Sequence, residues 1–140
     1  MAEQEQKPKV LMLDDEKFLL EMYKLAFEKR GYEVATYYDA GRALGLLRTG
    51  YDPDVILFDV TIPESDSGYQ FIEAVNREKL AKRSLKIALT NEGREGAKQR
   101  LTELGADAHL LKAQFIPSEI VEEVNKMLAE RRKGILSRWL

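Results

Sequence analysis

The chain has 140 residues, 44% of them apolar and 33% charged, with a formal net charge of −2. That is one domain's worth of sequence with material for a real core, and its charge balance gives no electrostatic case for nucleic acid. Cysteine is absent, which excludes disulfides, thiolate catalysis and cysteine–zinc sites, and no run approaches the roughly 20 apolar residues of a membrane helix. The polar opening lacks the apolar stretch of a secretory signal, so a cytoplasmic location is the expectation.

Residues 1–8 read as a loose tail, with Lys9–Leu13 as the first strand inside the folded region. Glu16–Arg30 has helical spacing, with Phe18, Leu19, Met22, Leu25 and Ala26 as its apolar face. Gly31 stands just past its end, where a left-handed cap is favoured. Tyr32–Tyr38 is β-rich, and Asp39 is placed to cap a second helix over Ala40–Arg48 that Gly50 closes. Asp54–Asp59 holds four consecutive apolar residues and ends in a carboxylate, the pattern of a strand covered on both faces. A loop over Thr61–Ser67 leads to a helix over Gly68–Lys82, with Phe71, Ile72, Val75 and Leu80 inward. Leu85–Thr90 is the fourth strand, Asn91–Gly93 a turn, and Arg94–Leu104 a short polar helix ended by Gly105. Asp107–Leu111 is the fifth strand and Pro117–Arg132 the fifth helix, with proline near its start. One folded domain over 9–132 is expected, followed by a basic and apolar tail over 133–140.

Strands and helices alternate five times through short connections, which predicts an α/β fold with a parallel sheet and helices on both faces. In such a sheet the C-terminal ends of the strands share one edge, where ligands bind. Asp14, Asp15, Asp59, Thr90 and Lys112 all stand at or beside such ends. Each alone has a plainer reading: a helix cap for the Asp pair, β-propensity for Thr90, a solvated lysine for Lys112. Asp59 is the hardest to read that way, because a carboxylate ending the most apolar stretch of the chain needs a partner or a task. Together they make a site for a divalent cation and a phosphoryl group. Mg²⁺ suits it, since that ion takes one or two carboxylates, keeps several waters and meets phosphate.

The stretches VLMLDDE, DVILFDVTIP, KIALTNEG and GADAHLLKA carry a resemblance over residues 8 to about 131. The chain resembles the response-regulator receiver domains of two-component signalling. The resemblance implies a five-stranded doubly wound sheet, (βα)5 and flavodoxin-like, in strand order 2-1-3-4-5. It implies that Asp59 accepts a phosphoryl group from a histidine kinase or phosphotransfer protein, making the chain a signalling phosphoacceptor rather than an ordinary enzyme. Asp15, Asp59 and the backbone carbonyl of Thr61 would ligate Mg²⁺, with Asp14 acting mainly through water. Lys112 would contact the phosphoryl group, Thr90 would swing to bond it, and His109 falls where the family usually has the aromatic switch residue. The output face would comprise Arg94–Leu104, Asp107–Leu111 and the fifth helix, meeting a partner protein or a second copy of the chain.

The chain departs from the pattern in three places. Ala113 follows Lys112 where the family has proline, so a trans bond and a rearranged loop are expected. The stretches 113–116 and 63–68 each look one residue long. Asn91 is larger than the residue usual at its position. Three other readings compete. A haloacid-dehalogenase-type phosphatase wants a second Asp where Thr61 stands, a flavodoxin-like electron carrier wants a phosphate loop after the first strand, and an inactive structural receiver would not need all five site residues.

Overall fold

The computed structural model describes residues 7–60, 67–91 and 95–133. Five strands, β1 (Lys9–Leu13), β2 (Glu33–Tyr37), β3 (Val55–Asp59), β4 (Leu85–Thr90) and β5 (Ala108–Leu111), form one parallel sheet in the order β2-β1-β3-β4-β5. Between and after them run α1 (Lys17–Lys29), α2 (Ala40–Arg48), α3 (Ser67–Arg77), α4 (Glu95–Leu104) and α5 (Pro117–Arg132).

Alternation along the strands divides the core into two layers. Val10 and Met12, Val55 and Leu57, and Leu85, Ile87 and Leu89 face α1 and α5, where Leu20, Tyr23, Phe27, Ile120, Val124 and Met127 close the layer. Leu11 and Leu13, Ile56 and Phe58, and Ala88 face the opposite layer, with Ala43, Leu47, Phe71, Ile72, Val75 and Leu101. β3 is buried along its whole length, as its unbroken apolar run predicts.

The structure turns α1 differently from the expected phase. Leu20, Tyr23 and Phe27 are buried, while Phe18, Met22 and Leu25 are 81%, 41% and 59% exposed. The cap sets the rotation. Gly31 takes φ +90°, the Tyr32 N–H donates to the Phe27 carbonyl at 3.0 Å, and the two rings meet edge to face at 4.9 Å. Phe27 is thereby fixed inward, and the residues one and two turns before it follow.

The structure also shortens α3, which ends at Arg77 rather than Lys82. Lys79 adopts φ +58° at the position glycine usually holds, and the Leu80 N–H reaches the Val75 carbonyl at 2.9 Å. α4 ends in the same motif through Gly105, with Ala106 N–H on the Leu101 carbonyl. Asp39 caps α2 as anticipated, its Oδ1 accepting from the Arg42 N–H at 2.9 Å. The Lys112–Ala113 bond is trans, as is every peptide bond among the described residues. Lys112–Gln114 coil into a single 3₁₀ turn before α5. The remaining element ends agree with the sequence reading to within about one residue, the usual latitude of helix and strand ends. The expected basic and apolar tail lies, beyond residue 133, outside the described residues.

Candidate functional site: an acidic pocket at the sheet edge

Register builds this site. Leu13 of β1 lies opposite Phe58 of β3, so Asp14 and Asp59 emerge side by side at the ends of neighbouring strands. Asp59 in turn pairs with Leu89, and Thr90 with Leu111, which brings Thr90 and the start of Lys112 to the same edge. Thr90 and both of these carboxylates are 2–3% exposed, while Asp15 faces solvent.

Lys112 joins the acids. Its ammonium lies 2.9 Å from Asp14 Oδ2, 3.5 Å from Asp59 Oδ1 and 3.6 Å from Glu16 Oε1. Glu16 is a residue the sequence reading did not include; the run Asp14-Asp15-Glu16 was the signal available for it. Asp14 is held further by its backbone N–H on the Tyr37 carbonyl and by the Glu16 N–H donating to its Oδ1 at 2.9 Å. The Asp14 side chain is therefore committed to the turn between β1 and α1, and does not cap α1 directly.

These surroundings set the protonation balance. Burial pushes the Asp14 carboxyl up to about 6 and the Asp59 charge adds to this, against the Glu16 N–H and Lys112, which favour the carboxylate. For Lys112, burial disfavours the ammonium, but the bond to Asp14 and the charges of Asp59 and Glu16 outweigh it and hold the lysine above its ordinary value.

Asp14, Asp15 and Asp59 each offer a carboxylate oxygen within 4.8 Å of the others. Three hard oxygen donors without histidine or cysteine fit Mg²⁺ or a similar hard cation. They border a pocket of about 120 Å³ completed by Leu13 and by Tyr38, Asp39 and Ala40 from the turn after β2. At roughly 30 Å³ per water, this is room for an ion and a few waters. Thr61, expected to add a backbone carbonyl, lies outside the described residues.

Two neighbours escaped the sequence reading. Tyr38 lines the pocket although it read only as a strand end. Gly68, at the start of α3, has no room for a side chain: a Cβ there would stand 2.3 Å from the Asp59 carbonyl oxygen. His109 is half-buried on β5 beside Ala88, away from the carboxylates along the strand, and burial together with Lys98 holds its imidazole below its ordinary value.

Comparison with known proteins follows the same lines. A family model for the response regulator receiver domain matches residues 10–125. The phosphate regulon transcriptional regulatory protein PhoB of Escherichia coli is 31% identical over 120 residues, 86% of this chain and 51% of the relative. The response regulator SaeR of Staphylococcus epidermidis is 33% identical over 125 residues, 89% of this chain and 52% of the relative. The chain thus spans about half the length of these curated relatives. Among solved structures, the chemotaxis response regulator CheY4 of Vibrio cholerae superposes with a TM-score of 0.76 at 30% identity, covering 86% of this chain and 98% of that one. A putative response regulator from Chloroflexus aurantiacus gives a TM-score of 0.75 at 32% identity, over 89% and 99% of the two chains.

Proposed function

The chain belongs to the response-regulator receiver family, and from that premise we propose that Asp59 is its phosphoacceptor, loaded by a histidine kinase or a phosphotransfer protein. The observation that carries this reading is the placement of the Lys112 ammonium between Asp14 and Asp59, at 2.9 and 3.5 Å, on the edge where β1 and β3 end together. An Asp59 oxygen attacks phosphorus, the P–N bond to the donor imidazole breaks, and the departing imidazole takes up a proton. The product is an acyl phosphate, a labile mixed anhydride suited to a transient signal.

Mg²⁺, when bound, neutralises charge on the phosphoryl oxygens. Asp15 and Asp59, with the Thr61 carbonyl, are its inner ligands in this reading. Both Asp14 oxygens already accept hydrogen bonds, which suits Asp14 to a role through water. Lys112 turns toward the new dianionic group, and Thr90 donates its hydroxyl to it. His109, one strand over from Thr90 and facing α4, follows that movement and transmits it to the face of α4, β5 and α5. A partner protein or a second copy of the chain reads this face. The donor docks on the other side of the site, where Phe18, Met22 and Leu25 form an exposed apolar ridge on α1. A cytoplasmic setting suits these partners.

The test is incubation with acetyl phosphate and Mg²⁺, followed by intact mass. One added phosphoryl group on the unmodified chain and none on Asp59→Asn supports the assignment. Mapping of the group to Asp14 or Asp15, or turnover of the donor without a phosphorylated protein, overturns it.

A further inference from the structure

The acidic pocket has a wall that the proposed phosphoryl chemistry does not use. Tyr37, the last residue of β2, accepts a hydrogen bond from the Asp14 backbone N–H at 3.1 Å, which ties the end of β2 to the start of the acidic run. Tyr38 follows and lines the pocket, with 49% of its surface still exposed. Its neighbour Asp39 is spent elsewhere, capping α2 and lying 3.6 Å from the Arg42 guanidinium.

On the Tyr38 ring rests a cation. The Lys17 ammonium stands 5.0 Å from the ring centroid, inside the roughly 6 Å range of a cation–π contact. Lys17 is the first residue of α1, whose first turn contains no acidic residue. A positive charge at a helix N-terminus opposes the helix dipole. The Tyr38 ring beside it favours that charge. The Lys17 ammonium thus rests on a ring that itself lines the acidic pocket.

We propose that Lys17, seated on Tyr38, is an outer counter-charge of the acidic pocket beside the buried Lys112 and competes with the divalent cation, so that this pair tunes the cation affinity. The inference rests on the cation reading of Asp14, Asp15 and Asp59. In the empty pocket Lys17 offsets part of the carboxylate repulsion. An incoming divalent ion takes over that task and meets the lysine as a like charge at the mouth. Tyr38 acts as a positioning residue through its ring, and its hydroxyl has no part.

The experiment is a Mg²⁺ titration of the whole chain by calorimetry and by melting temperature, at low and high ionic strength. Both side chains are at the surface, so their variants keep the fold. Lys17→Met tightens Mg²⁺ binding about two- to fivefold at low salt, the scale of one exposed charge interaction. The difference closes at high salt, where exposed charges are screened. Tyr38→Ala tightens binding in the same direction, because the unanchored lysine spreads into solvent, and it adds nothing further in the Lys17→Met background. Tyr38→Phe leaves binding unchanged. A Mg²⁺ response that Lys17→Met does not alter, or effects of the two substitutions that simply add, overturns the outer counter-charge while leaving the cation site standing. An effect of Tyr38→Phe as large as that of Tyr38→Ala overturns the ring's role. No Mg²⁺ response in any of these chains overturns the cation site and the outer counter-charge together.

Discussion

Replacing Asp14 by Asn tests the electrostatics of the pocket directly. Burial and the neighbouring Asp59 hold the Asp14 carboxyl near 6, above the 3.8 it has when unfolded. A raised carboxyl pKa means that the ionised form is disfavoured in the folded state. The penalty is present in full above the folded value, fades as pH falls through about 6, and is gone below the unfolded value. At about 1.4 kcal/mol per decade, it amounts to on the order of 3 kcal/mol at neutral pH. Removal of the charge does not orphan Lys112, which keeps Asp59 at 3.5 Å and Glu16 at 3.6 Å. Asp14→Asn is therefore more stable than the unmodified chain at pH 7.5 without divalent cations. At roughly 3 °C per kcal/mol for a chain of this size, the gain in melting temperature is up to about 9 °C. Thermal denaturation in chelator from pH 7.5 to pH 4.5 follows it, and the gap between the two chains narrows toward the acid end. A variant that melts at or below the unmodified chain at pH 7.5, or a gap that does not change with pH, refutes the reasoning.

Gly68→Ala forces a Cβ to within 2.3 Å of the Asp59 carbonyl oxygen and 2.9 Å of the Val60 Cα. The backbone must yield, at a cost of about 1–3 kcal/mol for overpacking, and the Mg²⁺-induced rise in melting temperature shrinks because the displaced strand end carries Asp59, the proposed ligand; an unchanged melting temperature with an unchanged Mg²⁺ response counts against the close approach. Lys79→Gly acts in the opposite sense. Lys79 holds φ +58° at the end of α3, and glycine there relieves a left-handed strain of about 1–2 kcal/mol against its own entropy cost of about 0.5–1 kcal/mol. A rise of a few degrees in melting temperature is expected, and a fall would show that the lysine is not strained.

What the sequence made legible follows from which signals are local. The strand ends that build the site were readable because each is a short apolar run followed at once by a polar residue, as in Val55–Asp59 and Leu85–Thr90. Parallel pairing then does the rest, since neighbouring strands in register place Asp14 beside Asp59 without further instruction. The end of α3 was not legible, because the left-handed cap falls on Lys79, whose side chain gives no hint of it. The caps of α1 and α4 carry glycine and were readable for that reason. Tyr38, Glu16 and Gly68 were missed as parts of the pocket because their importance lies in what they approach. Tyr38 reaches the acids from the turn after β2, and Gly68 reaches the Asp59 carbonyl from α3.

The phase of α1 has a larger consequence. Apolar residues occupy more than one face of this helix, so periodicity selects an apolar stripe without deciding which one turns inward. Tyr23 and Phe27 take the inward place because the cap at Gly31 and Tyr32 fixes Phe27 under the Tyr32 ring. Phe18, Met22 and Leu25 are then left outward at spacings of four and three residues, a ridge along one side of the helix. Met22 and Leu25 also line a groove of about 550 Å³ shared with Ile116, Pro117 and Val121 at the start of α5. Burying such a ridge against a partner helix recovers roughly 25 cal/mol for each Å² of apolar surface removed from water. The α4 side presents Lys98 and Arg100 instead, with the Arg100 guanidinium stacked 3.9 Å from the Tyr69 ring. The two flanks of the pocket therefore differ in chemistry. An apolar ridge binds through area and tolerates salt, while a charged face is sensitive to ionic strength and to any charge added at Asp59. That asymmetry fits a molecule whose donor and reader approach from opposite sides.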